Sequence, residues 1–507
     1  MKNMKNIMLI ISLGIFLCFT ECSCKKDFLN KTDPTQIGTD VFYQNQTQLE
    51  QAVNGVYGQL QGIINDQWLY NELPSDNTTF DFNPADRGQA PRIEAFEFWT
   101  VNSGTPNVDD IYISYYNALF NINTAIVKLK NVGTGAITDS VKAQFEGQLK
   151  FLRGYYYFQL VQYFGDVVLI TEPIDVPSKA WDYLRVTQAE VYTQIEKDLK
   201  EAVSLLPLRY SDANVGRVTK GAALTLLGKV YLTQKKYPDA VSTLQQILPL
   251  GYSLVPNYAD VFDPQKKNGS ESIFEVQYQG GNNLGEWSSF IYTFAPRLSG
   301  AVVIGFPASN PGGWNTPTRD IIAAYENGDL RKNASVGLDF KSPVTDSVVP
   351  YIKKYDHTHT LIGKTDDNWP VLRYSDVLLM LAEAINDATG PTSEAYGYLN
   401  QVRQRAGLAL LSGLNQQSFN DKVLNERRVE LAFENWRWFD LKRTKTPDQL
   451  SQFLNAYSAR EKAFPTVGRQ GIPYSQLDYV FQPYEVLYPM PSNEILVNNK
   501  LTQNNGY

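Results

Sequence analysis

The stretch TKGAALTLLGKVYLTQKKYPDAVSTLQQIL, residues 219–248, constrains the fold more than any other part of the chain. Leu227, Gly228, Tyr231, Tyr237, Ala240 and Leu244 fall at the offsets of a tetratricopeptide repeat. In such a unit small residues let two antiparallel helices approach closely, and an aromatic residue fills the turn. One hairpin cannot bury its apolar face alone, so it must stack on other helices.

The rest of the chain supplies them. VLRYSDVLLMLAEAINDATGPTSEAYGYLNQVRQRAGL, residues 371–408, reads as a second hairpin with Leu378, Leu381, Ala382 and Ile385 facing Ala395, Leu399 and Val402. QFEGQLKFLRGYYYFQLVQYF places Phe145, Leu149, Leu152, Tyr156, Leu160 and Tyr163 on one helical stripe. Further helices are expected near 42–64, 108–131 and 187–206. Irregular segments rich in Gly, Pro, Asn and aromatics lie at 65–107 and 250–370, with short strands expected in SIFEVQYQ and VVPYIKKYD. The expected fold class is mainly α: a tetratricopeptide-like helical hairpin scaffold with long irregular loops and a few short strands. Loops of that length usually carry function or are held by their own packing.

At the start, Lys2 and Lys5 precede IMLIISLGIFLCF, a run too short to span a bilayer but suited to an export signal. Cys18, Cys22 and Cys24 are the only cysteines. Cleavage after Ser23 would leave one cysteine, at the first position of the mature chain. Ser23–Cys24 fits a bacterial lipoprotein signal, although Glu21 stands where an aliphatic residue is usual; Cys22 fits less well, and an ordinary secretory signal is the alternative. Each buried acyl methylene contributes about 0.8 kcal/mol, so several chains on Cys24 would hold the protein on a membrane.

The stretch NERRVELAFENWRWFDLKRT, residues 425–444, looks at first like an active site. On a helix, Glu426, Glu430 and Glu434 lie four apart, with Arg427 and Arg437 at offsets that allow intrahelical pairs. Carboxylates interleaved with arginines stay ionised, which leaves no protonated acid for general acid and base chemistry. The expected role is a clasp in which Arg427, Arg428, Glu430 and Glu434 pair with neighbouring helices.

Other chemistry is thinly represented. The net charge of −7 without a basic run argues against nucleic acid. The only histidines, His357 and His359, lack further ligands and are expected in a solvated loop. There is no G-x-S-x-G, phosphate loop or H-E-x-x-H, and no cofactor or metal is expected. Asp76, Asp81, Asp86, Asp366 and Asp367 match no calcium-loop spacing and are expected as solvated turn residues.

The irregular segments carry Trp68, Tyr70, Phe80, Phe82, Trp287, Tyr292, Trp314 and Trp369. A pyranose stacks its C–H face on a flat ring, at about 1 kcal/mol per contact by analogy with aromatic pairs, while its hydroxyls need groups such as Asp76, Asn77, Asn283 or Asn315. The candidate ligand-binding set is Trp68, Tyr70, Asp76, Asn77, Phe82, Trp287, Tyr292 and Trp314; for any single ring, packing of a loop onto the scaffold is the competing role. Trp99, Trp181, Trp436 and Trp438 lie beside helical blocks and are expected in the core.

Seven blocks in order carry a family resemblance: CKKDFLNKTDP, LKFLRGYYYFQLVQYFGDVVLITEP, GRVTKGAALTLLGKVYL, VLRYSDVLLMLAEAIN, YLNQVRQRAGL, ERRVELAFENWRWFDLKR and LYPMPSNEILVNNKLTQNNGY. Together they resemble the SusD/RagB family of outer-membrane nutrient-binding lipoproteins. The resemblance implies a signal peptide over 1–23, with one SusD-like domain over 24–507. Within it, an N-terminal helical part spans about 24–250 and a C-terminal part about 251–507, including a loop-rich insert at about 251–370. It implies lipidation at Cys24 and a surface-facing position on the outer membrane of a Gram-negative cell. The implied partner is a SusC-like TonB-dependent β-barrel transporter, the ligand an oligosaccharide or, as in RagB-like relatives, a peptide. A binding protein rather than an enzyme is expected; a lipid-anchored glycoside hydrolase using paired loop carboxylates is the alternative.

Overall fold

The computed structural model describes residues 42–507 apart from 86, 89, 175, 282 and 283, so the signal segment, Cys24, Asp86 and Asn283 lie outside the described residues. The helices that build the frame are α1 (Gln46–Asn71), α2 (Pro106–Asn131), α3 (Asp139–Phe164), α4 (Gln188–Leu205), α5 (Lys220–Thr233), α6 (Tyr237–Leu244), α7 (Tyr374–Thr389), α8 (Ser393–Arg405), α9 (Gln416–Glu430), α10 (Arg437–Thr444) and α11 (Pro447–Ala463).

Their ends follow local chemistry. Thr138, Thr187, Thr219 and Thr392 each accept a backbone N–H from the first turn of the helix they precede. Thr187 with Glu190 and Thr446 with Gln449 complete reciprocal caps. Pro106 and Pro447 open α2 and α11, where a missing N–H costs nothing.

Packing runs helix to helix through the stack: α1 on α2, α2 on α3, α3 on α4, α4 on α5, α5 on α6, α6 on α7, then α7 on α8 and α9. The two predicted hairpins are α5–α6 and α7–α8, and they abut directly, although the whole 250–370 segment lies between them in sequence. Gly228 explains part of the close approach, because a Cβ there would overlap Leu244. Gly154 does the same for α3 and α4, where a Cβ would sit 3.1 Å from Leu199. Helix α5 is buried from Gly221 to Leu232 and α3 from Gly147 to Phe164, so both run through the interior.

Four two-stranded antiparallel ladders brace the loops: β1 (Thr78–Thr79) with β5 (Thr316–Pro317), β2 (Val167–Val168) with β3 (Arg185–Val186), β4 (Ser272–Val276) with β8 (Trp369–Arg373), and β6 (Val336–Gly337) with β7 (Tyr351–Ile352). The strands expected in the 272–279 and 348–356 segments are β4 and β7. The C-terminal segment closes against the first helices. Tyr488 N donates to Tyr163 O at 2.8 Å and its hydroxyl to Tyr70 O at 2.7 Å, while Asn504 Nδ2 donates to Phe164 O and Arg185 Nη1 to Thr502 O.

The 425–444 stretch is a clasp, but not a single helix. Helix α9 ends at Glu430, and Phe433 and Asn435 take positive φ of 65° and 67° before α10 begins. The Glu430–Glu434 and Glu434–Arg437 offsets straddle this break, and Glu430 and Arg427 pair with side chains outside α9. Glu430 receives Arg331 at 3.0 Å, Arg373 at 3.0 Å and Arg405 at 2.5 Å; Arg427 meets Asp376 at 2.7 Å and Asp440 at 3.1 Å. Burial would raise the pKa of the Glu430 carboxyl, but Arg405, Arg373 and Arg331 outweigh it and hold it well below the usual range.

Candidate ligand-binding face

The eight candidate residues divide sharply by exposure. Helix α1 continues to Asn71, past the expected boundary, so Trp68 and Tyr70 sit in its last turns and face inward. The Trp68 ring lies edge-on to Phe294 at 5.8 Å and Tyr70 edge-on to Phe96 at 5.3 Å. Asp76 is buried between Arg428 and Arg437, 2.8 Å from each, and Asn77 accepts from Arg428 Nε at 2.9 Å. Phe82 is buried under the guanidinium groups of Arg87 and Arg469. These five residues present no free face to a ligand: a helix end, an ion clasp and a loop core have claimed them. Phe80, Trp369 and Asn315 are buried as well.

The turn carboxylates are corrected too, since Asp76, Asp81 and Asp367 are buried rather than solvated. His357 Nδ1 lies 2.7 Å from Asp367 Oδ1. Burial alone would lower the His357 pKa, but Asp367 outweighs it and holds the imidazole above its usual value. Trp99, Trp436 and Trp438 are core as expected, whereas Trp181 is 53% exposed on the short helix Pro177–Asp182 that links α3 to α4.

Trp287, Tyr292 and Trp314 remain half-buried, and one framework carries all three. The short helix Phe290–Phe294 drives Phe290 and Phe294 into the interior, where Phe290 meets Trp369 at 4.9 Å and Tyr355 at 5.3 Å. Tyr292 lies between those two anchors in sequence and stays on the outer side. Burial raises the pKa of its hydroxyl, an effect partly offset by the Gly363 backbone. Trp314 N donates to Thr293 O at 3.0 Å and its ring leans on Phe80 at 5.4 Å. Beside Trp287, Ser288 and Thr365 exchange both backbone hydrogen bonds, at 3.1 and 2.8 Å. That bridge brings Lys364 over the Trp287 ring, 4.2 Å from its centroid.

Glu286, immediately before Trp287, also lines a 330 Å3 cavity with Tyr57, Gln61, Arg217 and Gln277. Arg217 and Glu275 are shared with an adjoining 350 Å3 cavity bounded by Arg209, Tyr210, Tyr252 and Asn268. The two cavities thus combine carboxamides, hydroxyls and guanidinium groups, a composition suited to binding a polyhydroxylated molecule without covalent chemistry. Sequence reasoning missed Tyr57, Gln61, Tyr210 and Tyr252, which come from helical or inter-helical segments with no local signal. Among the described residues no group of three or more His, Cys, Asp or Glu is placed to hold a metal ion, and no helix is long and apolar enough to cross a membrane.

Known proteins share this architecture. A family model described as "SusD family" matches residues 340–507, and one described as "Starch-binding associating with outer membrane" matches residues 27–232. SusD-like protein P25 of Formosa agariphila is 27% identical, covering 98% of this chain and 99% of its own length. A SusD-like protein of Bacteroides ovatus is 24% identical over 89% of this chain and 85% of its own. Among solved structures, a laminarin binding SusD-like protein is 27% identical with a TM-score of 0.74, spanning 92% of this chain and 100% of that one. A SusD homolog from Bacteroides thetaiotaomicron superposes with a TM-score of 0.78 at 21% identity, over 94% of this chain and 100% of its own.

Proposed function

Since the chain belongs to the SusD/RagB family of glycan-binding proteins associated with the outer membrane, we propose that it captures oligosaccharides on the Trp287, Tyr292 and Trp314 face and delivers them to a SusC-like TonB-dependent β-barrel transporter. Acylation at Cys24 would tether it to the outer surface of a Gram-negative cell, with the described body in water. The observation that carries the reading is the set of three half-exposed rings fixed to a rigid frame by the Phe290 and Phe294 anchors and the Ser288–Thr365 bridge. A similarly folded relative that binds laminarin supports the ligand class.

Stacking on two or three rings with a few hydrogen bonds gives modest affinity, in the range of about millimolar to micromolar. That suits a protein which must release its cargo to a partner. The test is calorimetry of the purified chain with laminarihexaose and a panel of neutral and acidic oligosaccharides, alongside an assay for reducing ends. Binding without new reducing ends is expected. Hydrolysis of the panel would instead mark the chain as an enzyme, and binding of peptides alone would move it to the RagB-like ligand class.

A further inference from the structure

The loop at 464–482 contributes a cation to the same face, and its setting differs from that of the other arginines there. Arg469 is held between two rings, with its guanidinium carbon 4.1 Å from the Phe82 centroid and 4.0 Å from that of Tyr474. Phe82 continues through Phe80 to Trp314, with centroid separations of 6.4 and 5.4 Å, so a buried aromatic row links Arg469 to a half-exposed tryptophan. Arg87, the other guanidinium over Phe82, is neutralised by Glu94 at 2.5 Å, and Arg297 by Asp81, whose carboxylate also accepts the Arg297 backbone N–H at 3.0 Å.

Arg469 has no carboxylate within ion-pair distance among the described residues. Its Nε donates to Ile472 O at 3.2 Å and Nη2 to Pro473 O at 3.5 Å, both long bonds within its own loop. Nearby acids are occupied: Glu461 accepts the backbone N–H and hydroxyl of Thr466, and Asp478 the backbone N–H and hydroxyl of Ser475. The arginines of the buried clasp look different. Arg331, Arg373 and Arg427 are buried and saturated by carboxylates.

We propose that Arg469, clamped between Phe82 and Tyr474, is an anion-recognising position at the edge of the aromatic face, and that the ligand is an acidic oligosaccharide carrying uronate carboxylates. Stacking on both sides fixes the plane of the guanidinium; with Nε and one N–H of Nη2 on loop carbonyls, Nη1 and the second N–H of Nη2 are left to meet a carboxylate, and little entropy is lost when it docks. Trp314, the half-exposed ring at the far end of the row, would then take the C–H face of an adjoining sugar. This inference rests on the oligosaccharide reading and narrows it.

The experiment compares wild type, Arg469→Gln and Arg469→Lys by calorimetry against oligogalacturonate, oligoalginate and laminarihexaose, with unfolding curves for each variant. Arg469→Gln keeps a flat group between the rings and removes the charge. It should weaken binding of the preferred acidic probe about tenfold or more, the scale of a charge-assisted hydrogen bond, and change laminarihexaose binding less than about twofold. Arg469→Lys should recover part of the loss, and the salt dependence of acidic binding should be lost in Arg469→Gln. The inference is overturned if wild type binds no acidic probe, or if Arg469→Gln binds it unchanged. Neutral binding that survives in either case leaves the oligosaccharide reading standing, whereas absence of all binding removes both.

Discussion

Lys354 Nζ lies 2.6 Å from Glu434 Oε1, and neither side chain is more than 1% exposed. Glu434 also takes Arg373 Nε at 2.8 Å, a guanidinium that Glu271 and Glu430 hold as well. Burial pulls the Lys354 pKa down to about 8, against the opposing pull of Glu434. Removing the carboxylate strands the Lys354 ammonium, while Arg373 keeps Glu271 and Glu430. Glu434→Ala should cost about 3–5 kcal/mol in urea unfolding, whereas Lys354→Met combined with Glu434→Leu should recover much of it, because the pair is replaced rather than broken.

Acid should find a second weak point at Asp76. Burial would raise its pKa, but Arg428 and Arg437 outweigh that and hold it at about 2, against 3.8 in an unfolded chain. Between those values the unfolded state binds more protons, so stability falls as the pH drops through the window, by about 2 kcal/mol in all. Unfolding free energies measured from pH 5 to pH 2 should show this slope in wild type, and Asp76→Asn should flatten it while lowering stability at neutral pH.

Two tryptophans should respond in opposite ways to truncation. Trp68 is buried in α1, and Trp68→Ala should destabilise the fold by about 3–5 kcal/mol. Trp287 is half-exposed, so Trp287→Ala should stay within about 1 kcal/mol of wild type and weaken oligosaccharide binding about tenfold. Unfolding curves and calorimetry on the same preparations separate the two effects.

The ring face should also be sensitive to a residue that no ligand touches. A Cβ at Gly280 would lie 2.7 Å from the Thr365 carbonyl carbon and 2.9 Å from Lys364 O, both backbone atoms. Gly280→Ala should displace the segment that sets Lys364 over Trp287. The expected result is a loss of affinity with a smaller loss of stability, and a changed Trp287 fluorescence should report the shift.

The helical stack was readable because its signals are local: Gly228, Tyr231 and Leu244 sit at fixed offsets, and the α3 stripe repeats every three or four residues. The order of stacking was legible only as a necessity, since nothing near Leu244 says that α7 will pack there. The ring assignments divided for a related reason. Trp68 and Trp287 both stand beside Gly-, Asn- and Asp-rich sequence, and what separates them is that α1 runs a few residues further than its turn signals suggest. Arg469 and Tyr474 gave no signal, because their significance depends on Phe82, which is nearly four hundred residues away in the chain.

The closure of the C-terminal segment on Tyr70, Tyr163 and Phe164 bears on how the molecule reaches its native state. Synthesis runs from the amino end, so α1 and α3 emerge long before Tyr488 and Asn504 can cover them. Contacts of such sequence separation form slowly, and until they form an aromatic edge of the early helices stays open to association with other chains. On the export reading proposed above, that delay works against closure into a compact body before the chain has crossed a membrane.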